Sequence, residues 1–195
     1  LDGDAYTGGK ITDPKSGKVY SAKATVANGG KSLQVRGFMG IPFSKAYGGQ
    51  GCDTFAYVLA VEEIAKVCGT TAVILSAHTS LAADAINNYG TEDQKEKFLR
   101  PLAEGKKLGS FALTEPEAGT DAAGQQTKVF ADGEEWVING SKIFITNAEV
   151  ADIYVVFAMT DKAAGTRGIS AFIIEKGTPG FSFGLPEKKM GIRGS

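Results

Sequence analysis

The spacing of apolar residues changes once along this chain, and the change falls between Pro101 and Lys107. From Asp53 to about Ala103, apolar residues recur at helical spacing with stop signals between the runs. Gly69, Gly90 and Gly105 stand where the C-terminal caps of three successive helices belong. Thr91 and Gln94, in TEDQKEKFL, spell a capping box that starts the third helix. From Leu108 the pattern is alternation: LGSFALTE, TKVFA, EWVING, KIFITN, IYVVFAMT, GISAFIIE and GFSFG each read as a short strand. Asp132-Gly133 and Asn139-Gly140 supply turn chemistry between them. A helical layer followed by an all-β layer predicts an α+β chain of two domains, the second a β-barrel or sandwich.

Residues 1–37 have a third texture, dense in Gly, Lys, Asp and Ser. Two β-like runs, KVYSAKATV and SLQVRGF, flank ANGG, where Asn28-Gly29 is a hairpin signal. At 195 residues and 43% hydrophobic, the chain can bury one large core or two small ones. Its 21 Lys and Arg balance 22 Asp and Glu without long blocks, which argues against nucleic acid or an anionic membrane as a partner. The longest apolar stretch, around TTAVILSA, is too short to span a bilayer, and no signal-peptide pattern opens the chain. The expected location is therefore inside the cell. Cys52, Cys68 and a single His support neither a disulfide framework nor a metal site, so both cysteines read as thiols.

The chemistry concentrates after LGSFALTE, the first strand of the alternating region. EPEAGTD begins where that strand stops, and Pro116, Gly119 and Thr120 suit a turn that exposes backbone N–H groups and hydroxyls. Such a loop can hold an oxyanion or the polar edge of a flat ring, although an ordinary turn has the same composition. KIFITNAE offers an aromatic, a β-branched residue and Thr146, able to cover one face of a ring and bond its edge. Two strand ends of this kind could share one ligand. His78 lies among apolar residues at helical spacing and reads as structural, and Trp136 as packing on a strand face. YGGQGCD has the glycines of a phosphate loop but neither its Lys nor its Ser/Thr, and reads as a turn.

Taken together, YGGQGCD, VEEIAKVCGTTAVILSAHTSL, YGTEDQKEKFLRPLAEGKKLGSFALTEPEAGTD, VINGSKIFITNAEVADIYVVFAMTD, GISAFIIEKGTPGFS and KKMGIRGS resemble the acyl-CoA dehydrogenase family of flavoenzymes, particularly its short-chain, butyryl-CoA type. The resemblance runs from about Phe38 to Ser195 with order and spacing kept. It implies a partial N-terminal helical domain over 38–106 and a flavin-binding, antiparallel β-barrel middle domain over 107–195. It also implies FAD as cofactor, held by Phe111, Leu113, Thr114, Gly119, Thr120, Phe144, Ile145 and Thr146. Phe144, where the family often has Trp, would lie against the isoalloxazine ring and Thr146 would bond its N5 edge. Thr120 would also meet the acyl-CoA substrate, and YGGQGCD would lie beside the acyl pocket. The family reaction removes a C2 proton with a carboxylate base and a C3 hydride with flavin N5, giving a trans-2-enoyl-CoA. Electrons then pass to an electron-transferring flavoprotein. The intact family is homo-oligomeric, and its setting is the bacterial cytoplasm or the mitochondrial matrix. The basic pairs Lys106-Lys107 and Lys188-Lys189 are candidates for the CoA phosphates.

Two departures complete the reading. The family's base glutamate sits in a C-terminal helical domain expected beyond Ser195, so no catalytic residue is expected in this chain; the resemblance assigns neither Glu115 nor Glu117 to proton abstraction. Without that domain and the family's leading helices, the helical layer from Asp53 to Ala103 is expected to leave apolar surface exposed. At the front, GGKITDPKSGKVYSAKATVANGGKSLQVRGF resembles instead the DUF2147 family of small bacterial β proteins, with the two patterns meeting in VRGFMGIP. Residues 1–37 would then be of foreign origin, from a gene fusion or a chimeric assembly.

Overall fold

The computed structural model describes residues 6–12, 19–27 and 32–194. Strands β1 (Tyr6–Thr12), β2 (Val19–Ala27) and β3 (Ser32–Arg36) form an antiparallel sheet in that order, matching the β-like reading of the two runs. Asn28-Gly29 lies outside the described residues.

The helical layer follows. Helix α1 (Thr54–Val67) starts where Asp53 accepts the Ala56 N–H at 2.8 Å. It stops at Cys68, whose extended backbone breaks the helix, and α2 (Gly69–Ser76) begins at the next residue. Gly69 therefore opens the second helix and does not cap the first, because an extended Cys68 makes the break without a left-handed residue. Helix α2 runs on through a π-helical stretch, Ala77–Ala83, into α3 (Asp84–Tyr89). Gly90 caps α3 through its N–H to Ile86 at 2.8 Å. The Thr91–Gln94 capping box is present at the head of α4 (Glu92–Gln94), which continues through Lys95–Leu99 into α5 (Arg100–Ala103). Gly105 takes φ of 67°. Its N–H reaches Leu102 O at 2.9 Å and the Lys106 N–H reaches Pro101 O at 2.9 Å, the paired bonds of a left-handed helix ending that glycine adopts without steric cost.

Beyond this lies a second sheet of five strands: β4 (Gly109–Ala112), β5 (Lys128–Asp132), β6 (Glu135–Asn139), β7 (Ile153–Met159) and β8 (Ile169–Glu175). Strand β8 lines one edge of β7 along its whole length, antiparallel. On the other edge β4 runs parallel to Ile153–Val156, and β5 joins at Met159. The hairpin from β5 to β6 turns at Gly133, whose φ of 64° a two-residue loop requires. The sheet is thus open and mixed, and the expected closed antiparallel barrel is not formed. Two of the expected strands are missing from it. The KIFITN run passes through left-handed backbone at Phe144 (φ 56°) and Asn147 (φ 66°), which interrupts a pleat, and GFSFG makes no ladder among the described residues. Asn139-Gly140 makes no hairpin either: a Cβ on Gly140 would lie 2.7 Å from Thr127 Cα, so this glycine serves close packing.

Strand β7 is buried on both faces. Ile153 and Val155 face the helices, with Phe43, Ile86, Leu99 and Leu102. Tyr154 and Val156 face Ala112 and Ala151, with Phe181 packing from outside. Helices and sheet therefore share one core, and truncating Leu102 to Ala would cost about 2–5 kcal/mol. Away from it, Phe55, Val58, Val67 and Tyr89 are exposed on the helices, as expected. No helix among the described residues is long and apolar enough to cross a membrane.

The joint between the layers is His78, fully buried in the π-helical stretch. Its Nδ1 accepts the Gly109 N–H at 2.9 Å, so Nε2 carries the proton and donates to Leu102 O at 3.2 Å. The side chain is structural, as read from the sequence. Burial pushes its pKa down to about 4, against the smaller upward pull of the Leu102 bond. The unfolded chain, with an ordinary value near ~6.5, binds more protons between these limits, so stability falls as pH drops through that window. We expect His78→Gln, which cannot titrate, to lose this limb of the stability curve while starting about 1–3 kcal/mol less stable at pH 7. Urea melts at several pH values measure both.

Candidate functional site

The site is built where β4 ends. Beyond Ala112 the chain leaves the ladder at Leu113 and Thr114, then folds back so that Glu115 and Ala118 exchange N–H···O bonds of 3.1 Å. Pro116 and Glu117 form the tip of this turn, and Gly119 and Thr120 lie exposed beyond it. Residues 142–147 pack directly against the same segment. The Ile143 N–H donates to Thr114 O at 2.9 Å, and Ser110 Oγ donates to Thr146 O at 2.7 Å. The two segments singled out in the sequence are thus neighbours, although the second is an irregular connection and not a strand.

Local backbone decides which side chains face out. Left-handed φ at Phe144 costs about 1–3 kcal/mol for such a residue and is tolerated where surrounding contacts enforce it. The result is an aromatic ring 70% exposed beside the joined segments. Ile145 packs inward, against the cluster of Ala112, Tyr154 and Val156. Thr114 and Thr146 are half-buried, and among the described residues no hydrogen bond engages their hydroxyls or that of Thr120. Phe111 differs from the rest: its ring points into the shared core, 4.9 Å from that of Phe157. Leu113, Thr114, Phe144, Ile145 and Thr146 therefore form one cluster, with Gly119 and Thr120 along the adjoining turn and the Phe111 ring turned away.

Sequence reasoning missed the pair that holds this cluster. Lys142, in a context that reads as surface, is largely buried and sits 2.7 Å from Glu115, itself 4% exposed. Its ammonium also donates to Leu113 O at 2.9 Å and Gln125 Oε1 at 3.1 Å. The Glu115 carboxylate accepts the N–H groups of Gln126 and Thr127 as well. Burial opposes the charge on Glu115, but the bonds from Lys142, Gln126 and Thr127 outweigh it and hold the carboxyl down to about 2. On Lys142 burial is the larger influence and lowers the pKa, with Glu115 pulling it back up. At the far end of the segment, Asn147 donates to Gly109 O at 3.3 Å and Ile74 O at 3.4 Å.

Other sequence candidates fall elsewhere. YGGQGCD is a turn, folded back by Gly51 N–H to Phe43 O at 2.8 Å and Cys52 N–H to Ile41 O at 3.0 Å. Lys106 pairs with Glu104, and Lys107 lies 3.5 Å from Glu175. Trp136 packs edge-on against Phe172, with ring centres 5.9 Å apart. An open cavity of about 460 Å³ lies between residues 123–130 and 159–165, with Gln125, Lys128 and Lys162 on its walls.

Residues 18–106 match the acyl-CoA dehydrogenase N-terminal domain and residues 110–195 match the acyl-CoA dehydrogenase middle domain. The chain belongs to the acyl-CoA dehydrogenase family. It is 63% identical over 165 residues to the short-chain specific acyl-CoA dehydrogenase of Clostridium acetobutylicum, covering 85% of this chain and 44% of that protein. Among solved structures of the family, butyryl-CoA dehydrogenase from Megasphaera elsdenii superposes with a TM-score of 0.78 at 57% identity, over 80% of this chain and 42% of that one. A chain from the structure of the electron transferring flavoprotein of Acidaminococcus fermentans superposes with a TM-score of 0.80 at 58% identity, over 80% and 41%. The chain thus spans less than half the length of the relatives it matches.

The Glu115–Lys142 pair has a measurable acid signature. With a folded value below its ordinary one, Glu115 contributes stability that is present above about pH 4.5 and lost as pH falls toward 2, about 3 kcal/mol in all. Glu115→Gln should remove that limb from the variant's own stability curve, so that the difference between parent and variant isolates it. At pH 7 it should be about 3–5 kcal/mol less stable, because Lys142 is left buried and unpaired. Denaturant melts from pH 7 to pH 2 give both numbers.

Proposed function

We propose that this chain supplies the flavin and acyl-CoA contacts of a short-chain acyl-CoA dehydrogenase that converts a butyryl-CoA-type thioester to the trans-2-enoyl-CoA. The observation that carries the reading is the junction of residues 113–114 with residues 142–147, which sets an exposed aromatic ring beside threonine hydroxyls that no neighbour among the described residues uses. A flavin ring is apolar on its faces and polar along its edges, and this donor set fits it: Phe144 offers a face, and Thr114 and Thr146 offer bonds to an edge. FAD, when bound, supplies the hydride acceptor. Thr146 would orient the edge of the ring, and Thr120, on the exposed turn, would meet the substrate. The Phe111 side chain is engaged in the core, so its contribution would come through the backbone.

Proton abstraction needs a carboxylate within reach of the substrate, and Glu115 is held in its ion pair. We place the base in the part of the relatives that this chain does not span. Lys128 and Lys162, at the open cavity, are better placed than Lys106 and Lys107 to meet CoA phosphates, since the latter lie against carboxylates. An electron-transferring flavoprotein as electron acceptor, homo-oligomeric assembly and a bacterial cytoplasmic setting follow from the same family reading.

For domains, the reading is a helical part over 38–106 and a flavin-binding part over 107–195, preceded by a segment over 1–37 that resembles DUF2147. The separate antiparallel sheet of β1 to β3 supports that segment, and the family match from residue 18 limits it. One continuous transcript across Gly37–Met39 would establish a true fusion; two transcripts would establish an assembly product.

FAD titration of the purified chain is the test, followed by addition of butyryl-CoA. Binding that quenches flavin fluorescence is the expected result, and absence of binding would overturn the flavin reading. Phe144→Ala should weaken binding by about 1 kcal/mol, the scale of one aromatic stacking contact. Bleaching of the bound flavin on adding butyryl-CoA would show that this chain carries a base after all.

A further inference from the structure

The ammonium of Lys142 has three donors and meets three acceptors: Glu115 Oε1 at 2.7 Å, Leu113 O at 2.9 Å and Gln125 Oε1 at 3.1 Å. These belong to the segment leaving β4 and to the stretch entering β5. Lys142 itself begins the third segment, whose next residue bonds Thr114 O at 2.9 Å. A single buried side chain thus ties three separated stretches at one point. The residues on either side of the tie, Leu113 and Thr114 on one segment and Phe144 to Thr146 on the other, are among those assigned above to the cofactor.

We propose that Lys142, held by Glu115, is a positioning residue for the flavin, fixing the Leu113–Thr114 backbone against the Phe144–Thr146 segment so that both meet one ring. The proposal rests on the flavin reading above. Lys142 does not touch the cofactor in this scheme. Its carbonyl contact at Leu113 sets where the first segment ends, and the strained backbone of Phe144, two residues on, keeps its exposed orientation only while the segment before it is pinned. Water cannot substitute easily, because the Lys142 side chain is 10% exposed and its partner 5%.

The test compares the parent chain with Lys142→Met, with the neutral double variant E115Q/K142M, and with Leu99→Ala. The double variant guards against a failure to fold, since replacing both members of a buried ion pair is far milder than stranding one charge, and the Gln carbonyl oxygen still accepts one of the two backbone N–H groups. Leu99→Ala is a control that destabilises the shared core without touching Lys142 or its partners. FAD affinity by flavin fluorescence and amide exchange of the free chain by NMR are the readouts. K142M and E115Q/K142M should bind FAD about 10- to 100-fold more weakly, as losses of an outer support do at metal sites. Amide exchange should accelerate at Ile143 and stay unchanged at Gly109, whose N–H bonds His78. Leu99→Ala should lower the melting temperature and leave affinity within about twofold of the parent, as a site that shares no hydrogen-bond partner with Lys142 does. Equal FAD affinity in parent and double variant, or an equal loss in Leu99→Ala, would overturn the positioning role. A parent chain that binds no FAD would overturn the flavin reading beneath it, which is a separate and recognisable result.

Discussion

An ammonium taken out of water must be surrounded by oxygen, and the candidate site is organised around that requirement at Lys142. Its three acceptors come from two other stretches of chain, and the carboxylate among them is in turn held by two backbone N–H groups. Each group in the set would be costly if left alone in so buried a place. The set is therefore present whole or not at all. Two loops that have no ladder between them acquire in this way the definition that a sheet gives to strands.

The same logic operates at the joint between the layers. His78 spends one ring nitrogen on the first amide of β4 and the other on the last turn of the helical run, so that strand and helix are set in register by a neutral ring. Beside it lies an apolar cluster, with Leu99, Leu102 and Ile86 against Ile153 and Val155. The sheet needs this cover because β7 is buried on both faces. Asn147, which bonds both Ile74 O and Gly109 O, carries the tie on from the helices to the loop that presents Phe144.

Much of the scaffold could be read from residues alone, and for local reasons. The capping box at Thr91 and Gln94, the left-handed cap at Gly105 and the hairpin at Gly133 each depend on a few neighbouring residues, and each is present. KIFITN was misleading because its alternation is real: Ile143 and Ile145 are half-buried and Phe144 is exposed. A chain that turns through positive φ while alternating in and out has the same pattern as a strand. Gly69 was misplaced by one helix, since nothing in its composition distinguishes a first residue from a cap. Barrel closure could not be judged, because it depends on which strands pair, and parallel pairing of β4 with β7 leaves no local trace. The site showed a similar division. Its exposed members stood out by type, while Lys142 looked like any surface lysine, because its partners are distant in sequence.

That parallel pairing also bears on how the chain folds. Gly109 meets Ile153 directly, with both the turn at Pro116 and the β5–β6 hairpin enclosed between them. The entropy of closing so long a loop must be met before the ladder returns anything, whereas the capped helices and the Gly133 hairpin need only nearby residues. Helices and hairpin are therefore the natural early structures, and β4 settles on β7 late. The loops that would cradle the flavin flank this last pairing, so the site is assembled in the same step that completes the core.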